Sequence, residues 1–155
     1  MKKIRPRFIV WDPILHSSTG APLFRGNAKH AALRTLWEIS NAVTPNLPEA
    51  EWLIGRKITN LPEAEAAAES LYQRGKARGH FLLLKGGHAR NTKQAIDLVR
   101  HAGGLVRLPS ARRPGSRRGS GCTFASALLA GLCLGKDPVA AARLAKREVL
   151  KRLFD

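Results

Sequence analysis

Gly119-Ser120-Gly121-Cys122 is a glycine-rich turn placed directly before a mostly apolar segment, and four arginines, at 112, 113, 117 and 118, precede it. Glycines let a backbone approach a phosphate, and the start of a helix adds unpaired N–H groups and a partial positive charge. The pattern is therefore an anion site in outline. A tight loop that merely closes a helix against a sheet would use the same residues, and local spacing does not separate the two. His16, His30, His80, His88 and His101 are scattered, with no metal-ligand spacing on an expected helix, and read as surface residues.

The elements that must position this turn follow from the apolar pattern. Arg7 to Trp11 reads as a buried strand that delivers Asp12 at its C-terminal end. A helix is expected from about Ala28 to Trp37, capped by Asn27, and a second short strand from Ile39 to Thr44. Asn46 as cap, Pro48 in the first turn and Glu49 three residues after the cap predict a helix that stops near Gly55. The hexapeptide Asn-Leu-Pro-Glu-Ala-Glu occurs at Asn46 to Glu51 and again at Asn60 to Glu65, where it opens an alanine-rich helix to about Arg78. The second copy shows that helix initiation alone can explain this hexapeptide.

Phe81 to Leu84 is a continuous apolar run ending in Lys85-Gly86-Gly87, as expected of a central strand. Gln94 to Val99 and Leu105 to Leu108 flank a turn at His101 to Gly104 and predict an antiparallel edge hairpin. Ser110 to Arg118 is a basic loop. Thr123 to Leu134 should be a helix buried on most of its circumference, and Asp137-Pro138 opens a last helix with a basic face of Arg143, Lys146, Arg147 and Lys151. This order indicates an α/β layered fold.

With 155 residues, 44% of them hydrophobic, the chain can build one core. No apolar stretch approaches the roughly 20 residues that span a bilayer, and the short apolar run after the basic N-terminus does not make a secretion signal. The expectation is a soluble, cytoplasmic protein with no membrane partner. Cys122 and Cys133, eleven residues apart, would sit about 16 Å from each other on one helix, too far for a disulfide, which needs Cα atoms within about 7 Å. The net charge of +16, from 27 basic and 11 acidic residues, would attract polyanions. The basic residues are nevertheless spread out, with no zinc-finger, RNP-like or basic-zipper pattern, which favours a solvated basic surface over a nucleic-acid site.

Five motifs occur in one order: Trp11-Asp12-Pro13, Thr44 to Glu51 (TPNLPEAE), Lys85-Gly86-Gly87-His88, Ala95-Ile96-Asp97-Leu98 and Gly119 to Thr123 (GSGCT). Together they resemble the latter part of the hydroxymethylpyrimidine/phosphomethylpyrimidine kinases, within the ribokinase-like superfamily, over essentially the whole chain. The resemblance implies a three-layer ribokinase-like fragment, with a mostly parallel sheet, an antiparallel hairpin edge and helices on both faces. Residues 1–155 would form a single truncated domain, the nucleotide-binding half. It further implies ATP-dependent transfer of the γ-phosphate to a pyrimidine hydroxymethyl or phosphate group in thiamine biosynthesis, with ATP and Mg2+ as cofactors.

On that resemblance Cys122, Gly121 and Lys85 are the catalytic candidates. Gly119, Ser120, Gly121, Lys85, Gly86 and Thr44 would hold the nucleotide, and Asn46, Glu49 and Asp12 the magnesium. Each has a plainer reading beside it: Lys85 as a solvated lysine after a strand, Asn46 and Glu49 as a helix cap, Asp12 as a turn residue. Cys122 stands where most of the superfamily carries a catalytic aspartate. It acts only if the helix start and the nearby arginines favour its thiolate, and otherwise shapes the site.

The first set of βα units, which ordinarily receives the pyrimidine, has no counterpart in these residues. A truncated sheet would leave Arg7 to Trp11 as an open apolar edge, relieved by a homodimer or a complementing chain. The alternatives are a split enzyme completed by another polypeptide, a degenerate paralogue that binds nucleotide or a partner without catalysis, or a gene fragment. From a different class comes a basic nucleic-acid-binding protein, whose binding would weaken steeply with salt.

Overall fold

A computed structural model of the chain describes residues 6–15, 21, 23, 29–75, 77, 79–86, 94–111 and 119–154, the side chains at 29–32, 153 and 154 excepted. Five strands form one sheet in the order β1 (Val10–Trp11), β2 (Ala42–Val43), β3 (Phe81–Leu84), β4 (Gln94–His101) and β5 (Gly104–Ala111). The first three are parallel, and β4 and β5 add an antiparallel hairpin to β3. All four residues of β3 are buried. Successive side chains of a strand point to opposite faces, so Leu82 and Leu84 pack with one set of helices and Phe81 and Leu83 with the other. The first face is covered by α1 (Lys29–Ile39), α2 (Leu47–Ile54) and α3 (Leu61–Tyr72). The second is covered by α4 (Ser120–Cys133) and α5 (Pro138–Phe154). The result is the expected three-layer arrangement with helices on both faces.

Several boundaries differ from expectation for identifiable reasons. Ile39 ends α1 rather than opening a strand, and β2 is only two residues long. Similarly, β1 is limited to Val10 and Trp11, because Ile9 is tied instead to Asn41: its N–H donates to Asn41 Oδ1 at 2.9 Å and its carbonyl accepts the Asn41 N–H at 2.9 Å. Helix α3 stops at Tyr72, well before Arg78. The hairpin is longer than expected, and β5 carries Pro109 without losing a bond to a further strand, since β5 is the sheet's edge.

Helix α4 begins two residues before Cys122 and is not buried on most of its circumference. Phe124, Leu128, Gly131 and Leu132 form its buried stripe, whereas Cys122 and Cys133 are exposed and free. Asp137 caps α5, its Oδ1 accepting the N–H groups of Val139 and Ala140 at 2.9 Å each. Among the described residues no helix is long and apolar enough to cross a membrane.

His80 is a further correction, because it is buried rather than on the surface. Its ring stacks on Tyr72 with centroids 5.6 Å apart and meets the edge of Trp37 at 6.1 Å, while Nδ1 lies 3.0 Å from the Ser40 carbonyl. Nε2 is buried with no hydrogen-bond partner among the described residues. Burial pushes the imidazole below the ordinary histidine value, with the Ser40 bond opposing. The unfolded chain therefore takes up the proton first as pH falls. The stability His80 contributes is present above the unfolded value and is lost as pH falls through that value towards the folded one. In urea titrations across this window His80 should contribute a slope of at most about 1.4 kcal/mol per pH unit. His80→Leu should flatten the acid limb, and a limb of unchanged steepness would acquit His80.

Candidate phosphate site

Each parallel strand ends by handing a polar residue to the same edge of the sheet. Asp12 follows β1, Thr44 to Asn46 follow β2 and Lys85 follows β3. The register pairs Trp11 with Val43 and Val43 with Leu82, so these ends lie side by side, and a parallel bridge joins Asn46 to Lys85. Lys85 Nζ lies 2.8 Å from Asp12 Oδ1, with the two side chains only 16% and 12% exposed. The same Asp12 oxygen accepts the Thr44 hydroxyl at 3.0 Å. Thr44 is fully buried, so its hydroxyl holds Asp12 from beneath and is committed there.

The start of α4 comes to this ion pair from the opposite layer. Gly119 takes φ 85°, ψ 6°, a left-handed conformation that favours glycine, and makes no side-chain cap. The first intrahelical N–H in this turn is that of Thr123, which donates to the Gly119 carbonyl at 2.9 Å. Helix geometry leaves the N–H groups of Ser120, Gly121 and Cys122 without intrahelical acceptors. A side chain placed on Gly121 would have its Cβ 3.4 Å from Asp12 Oδ2 and 3.8 Å from Lys85 Nζ. The structure thus brings Lys85, Asp12 and the helix start into one place, with the gap kept open by a glycine. Cys122, in the same first turn, is exposed.

Asn46, which caps α2, and Glu49, in its first turn, form a complete capping box. Glu49 N–H donates to Asn46 Oδ1 at 2.9 Å and Asn46 N–H to Glu49 Oε2 at 2.7 Å. Burial pushes the Glu49 carboxyl above the usual carboxylate range, and the Asp12 charge adds to this; Lys85 and the two Asn46 bonds pull the other way. Glu49 therefore senses both members of the ion pair. The carboxylates of Asp12 and Glu49 and the amide oxygen of Asn46 are oxygen donors of the kind that suit a hydrated magnesium ion, which takes few protein ligands. Among the described residues there is no cluster of three or more histidines, cysteines or acids that could hold a metal by themselves.

Gly86 differs from its expected role. Its N–H donates to Asp97 Oδ1 at 2.8 Å inside the protein, so it is not directed at a ligand. Sequence reasoning missed the pairing of Asp97 with Lys146 and assigned Lys146 to a basic face. Lys146 is instead 14% exposed and lies 2.9 Å from Asp97 Oδ2. A charged residue inside an apolar strand was the available signal at Asp97, but its partner is 49 positions away (146 − 97). Gly87, His88 and the four arginines at 112, 113, 117 and 118 lie outside the described residues.

Parallel strand ends that converge with a lysine and a glycine-opened helix N-terminus place a candidate anion site in a protein of the three-layer α/β class. The chain belongs to the phosphomethylpyrimidine kinase family, whose pattern matches residues 1–154. It is 36% identical over 149 residues to a hydroxymethylpyrimidine/phosphomethylpyrimidine kinase of Rhizobium meliloti, covering 94% of this chain and 54% of the relative. It is 31% identical over 147 residues to the protein of that name from Aquifex aeolicus, covering 94% and 56%. Among solved structures, the pyridoxal kinase from Staphylococcus aureus in complex with AMP-PCP and pyridoxal superposes with a TM-score of 0.79 at 28% identity, over 95% of this chain and 52% of that one. The phosphomethylpyrimidine kinase from Clostridium difficile 630 gives 0.74 at 29% identity, over 95% and 58%. The chain spans about half the length of these relatives.

The Glu49 geometry fixes a pH dependence. Because its folded value is raised, the folded chain holds the proton more tightly than the unfolded one. Glu49's contribution is full below the unfolded value and is lost as pH rises through the folded value. Glu49→Gln keeps an oxygen for the Asn46 N–H and carries no charge to desolvate. Its melting temperature relative to wild type should therefore climb with pH across this window and level off on either side, as read by scanning calorimetry at a series of pH values. A difference that stays constant from acid to neutral would contradict a net burial cost.

Proposed function

We propose that this chain carries the ATP-phosphate half of a hydroxymethylpyrimidine/phosphomethylpyrimidine kinase of thiamine biosynthesis. The observation that carries the reading is the position of Lys85 Nζ, 3.8 Å from where a Gly121 side chain would begin, at the N-terminus of α4. An ammonium group and the N–H groups of Ser120, Gly121 and Cys122 then face one small space. That is the arrangement needed where negative charge gathers on a transferring phosphoryl group. Membership of the family and the likeness to a kinase solved with AMP-PCP and pyridoxal support the same reading.

In this reading the alcohol oxygen of a pyrimidine hydroxymethyl group, or a phosphate oxygen of its phosphorylated form, attacks the γ-phosphorus. The bond from that phosphorus to the bridging oxygen breaks, ADP departs with that electron pair, and the proton of an attacking hydroxyl passes to bulk water. Lys85 and the α4 amides stabilise the equatorial oxygens. Asp12 orients Lys85, and Thr44 orients Asp12. Asn46, Glu49 and Asp12 would hold magnesium, whose chemistry is to neutralise and align the phosphates. Cys122, exposed in the first turn of α4, lines the site. The pyrimidine pocket is assigned to none of the described residues.

Isothermal titration with Mg-ATP tests the reading. The wild-type chain should release or take up measurable heat. Lys85→Ala should lose at least about tenfold in affinity, as expected when a charge-assisted contact worth about 1.5–3 kcal/mol is removed. Gly121→Val, which fills the space beside Lys85, should abolish binding while leaving the circular dichroism spectrum unchanged. No heat from the wild-type chain at millimolar nucleotide would sink the proposal.

A further inference from the structure

Asp97 and Lys146 lie outside the site just described, yet Asp97 is buried, Lys146 is largely withdrawn from water, and the pair is joined to the site through the Gly86 backbone. Asp97 sits on β4 and is 7% exposed. One of its oxygens accepts the Gly86 N–H at 2.8 Å and the other lies 2.9 Å from Lys146 Nζ. Lys146, on α5, also donates to the Leu108 carbonyl at 2.6 Å and the Ala95 carbonyl at 3.4 Å. The ammonium thereby ties α5 to both strands of the hairpin and fixes the carboxylate between them.

Gly86 is pressed onto the same strand. A Cβ there would stand 1.9 Å from the Ile96 carbonyl oxygen. No larger residue fits without moving the backbone, and the amide of this residue is held by a side chain. One residue earlier, the Lys85 N–H donates to the Pro45 carbonyl at 2.8 Å. The two peptide units that flank the Lys85 side chain are therefore anchored, one to the loop after β2 and one to Asp97. From that fixed base the side chain reaches Asp12 and the start of α4.

We infer that Asp97, held in place by Lys146, is a positioning residue that fixes the Lys85–Gly86 turn through the Gly86 amide and so aims the Lys85 ammonium at the α4 N-terminus. What Lys85 is aimed at, a nucleotide phosphate, rests on the proposed function. The clamp itself rests only on the geometry of these four residues. A mostly buried ion pair with a purely structural role can be exchanged for neutral groups of similar size, and nucleotide affinity would then not depend on whether Gly86 keeps an acceptor. A positioning role requires the acceptor and not the charge.

Two double variants of the full chain separate these cases. D97N/K146M removes the ion pair but keeps an oxygen for the Gly86 N–H, whereas D97L/K146M removes both. By titration with Mg-ATP, D97N/K146M should bind within about twofold of wild type and D97L/K146M about tenfold more weakly, the fold-change of one lost hydrogen bond. Equal affinities in the two variants, whether both wild-type or both weakened, would overturn the clamp. The side-chain 13Cε resonance of Lys85, assigned by its loss in Lys85→Ala, gives a readout without nucleotide. It should shift in D97L/K146M and stay in place in D97N/K146M. If the wild-type chain gives no heat with Mg-ATP, the proposed function fails and this resonance alone decides the clamp. If D97L/K146M does not fold, hydrogen exchange of the Gly86 amide in the wild-type chain decides it. Protection supports the clamp, and exchange at the rate of an open peptide overturns it.

Discussion

An ammonium and a carboxylate 2.8 Å apart, each mostly withdrawn from water, can persist only where the chain delivers both to one spot and supplies further polar contacts. Here that delivery depends on the shared direction of β1, β2 and β3. The strands are two, two and four residues long, wholly apolar, and each is followed by its polar residue or loop at the carboxyl end. Were β3 to run against β1, Lys85 would leave the sheet at the opposite edge from Asp12 and neither charge would be met. The parallel order also explains why α4 completes the site. In open α/β sheets the crevice lies beyond the carboxyl ends of the strands, where helices on the flanking layers begin.

The position of α4 is in turn set by packing remote from the charges. Phe124, Leu128 and Leu132 lie on one stripe and enter the cluster containing Phe81, Leu83 and Val99. Gly131 lets α5 approach closely, since a Cβ there would stand 3.1 Å from the Ala141 Cα and Cβ. At the other end of this helix pair, Arg152 donates to the Thr123 hydroxyl at 2.7 Å. The helix is thus held along its length by apolar contacts and at its first turn by a polar one. Its N-terminus can meet Lys85 and Asp12 without a side-chain cap to close it off. Leaving those amide groups uncapped is unfavourable for the helix alone, and burial of the stripe offsets that cost.

Local signals in the sequence marked out the parts whose causes are local. The FLLL run and the two asparagine caps each depend on a few adjacent residues and fold as expected; the hairpin forms but is longer, and α4 starts inside the glycine turn. What escaped depends on partners far along the chain. Ile39 reads as the start of a strand because the segment from it to Thr44 is too short for a helix of its own, yet α1 extends to it. Lys146 sits among arginines and lysines that read as a solvated face, and only the approach of Asp97 from the hairpin turns it inward. His80 is buried because α1 brings Trp37 and α3 brings Tyr72 onto its ring. The candidate site residues were legible as motifs, but their mutual contacts were not. That Thr44 holds Asp12, or that Gly86 is spoken for by Asp97, follows only from strand register.

The repeated hexapeptide separates local from global causes within one molecule. Both copies open a helix, with Asn46 and Asn60 each accepting the N–H of the glutamate three residues on at 2.9 Å. There the likeness ends. Glu63 turns to the N–H and hydroxyl of Thr59, on the surface, and these bonds lower its carboxyl from the ordinary value. Glu49 returns to the Asn46 N–H beside the half-buried Lys85–Asp12 pair, and its own burial raises it. Six identical residues thus produce opposite shifts. The difference is that the first copy follows a strand in the middle of the sheet and the second follows a surface loop. Asn46 is bridged to Lys85, which draws its helix start into the cluster of charges. Helix initiation is written in the hexapeptide, whereas its chemistry is conferred by the strand end on which the sheet places it.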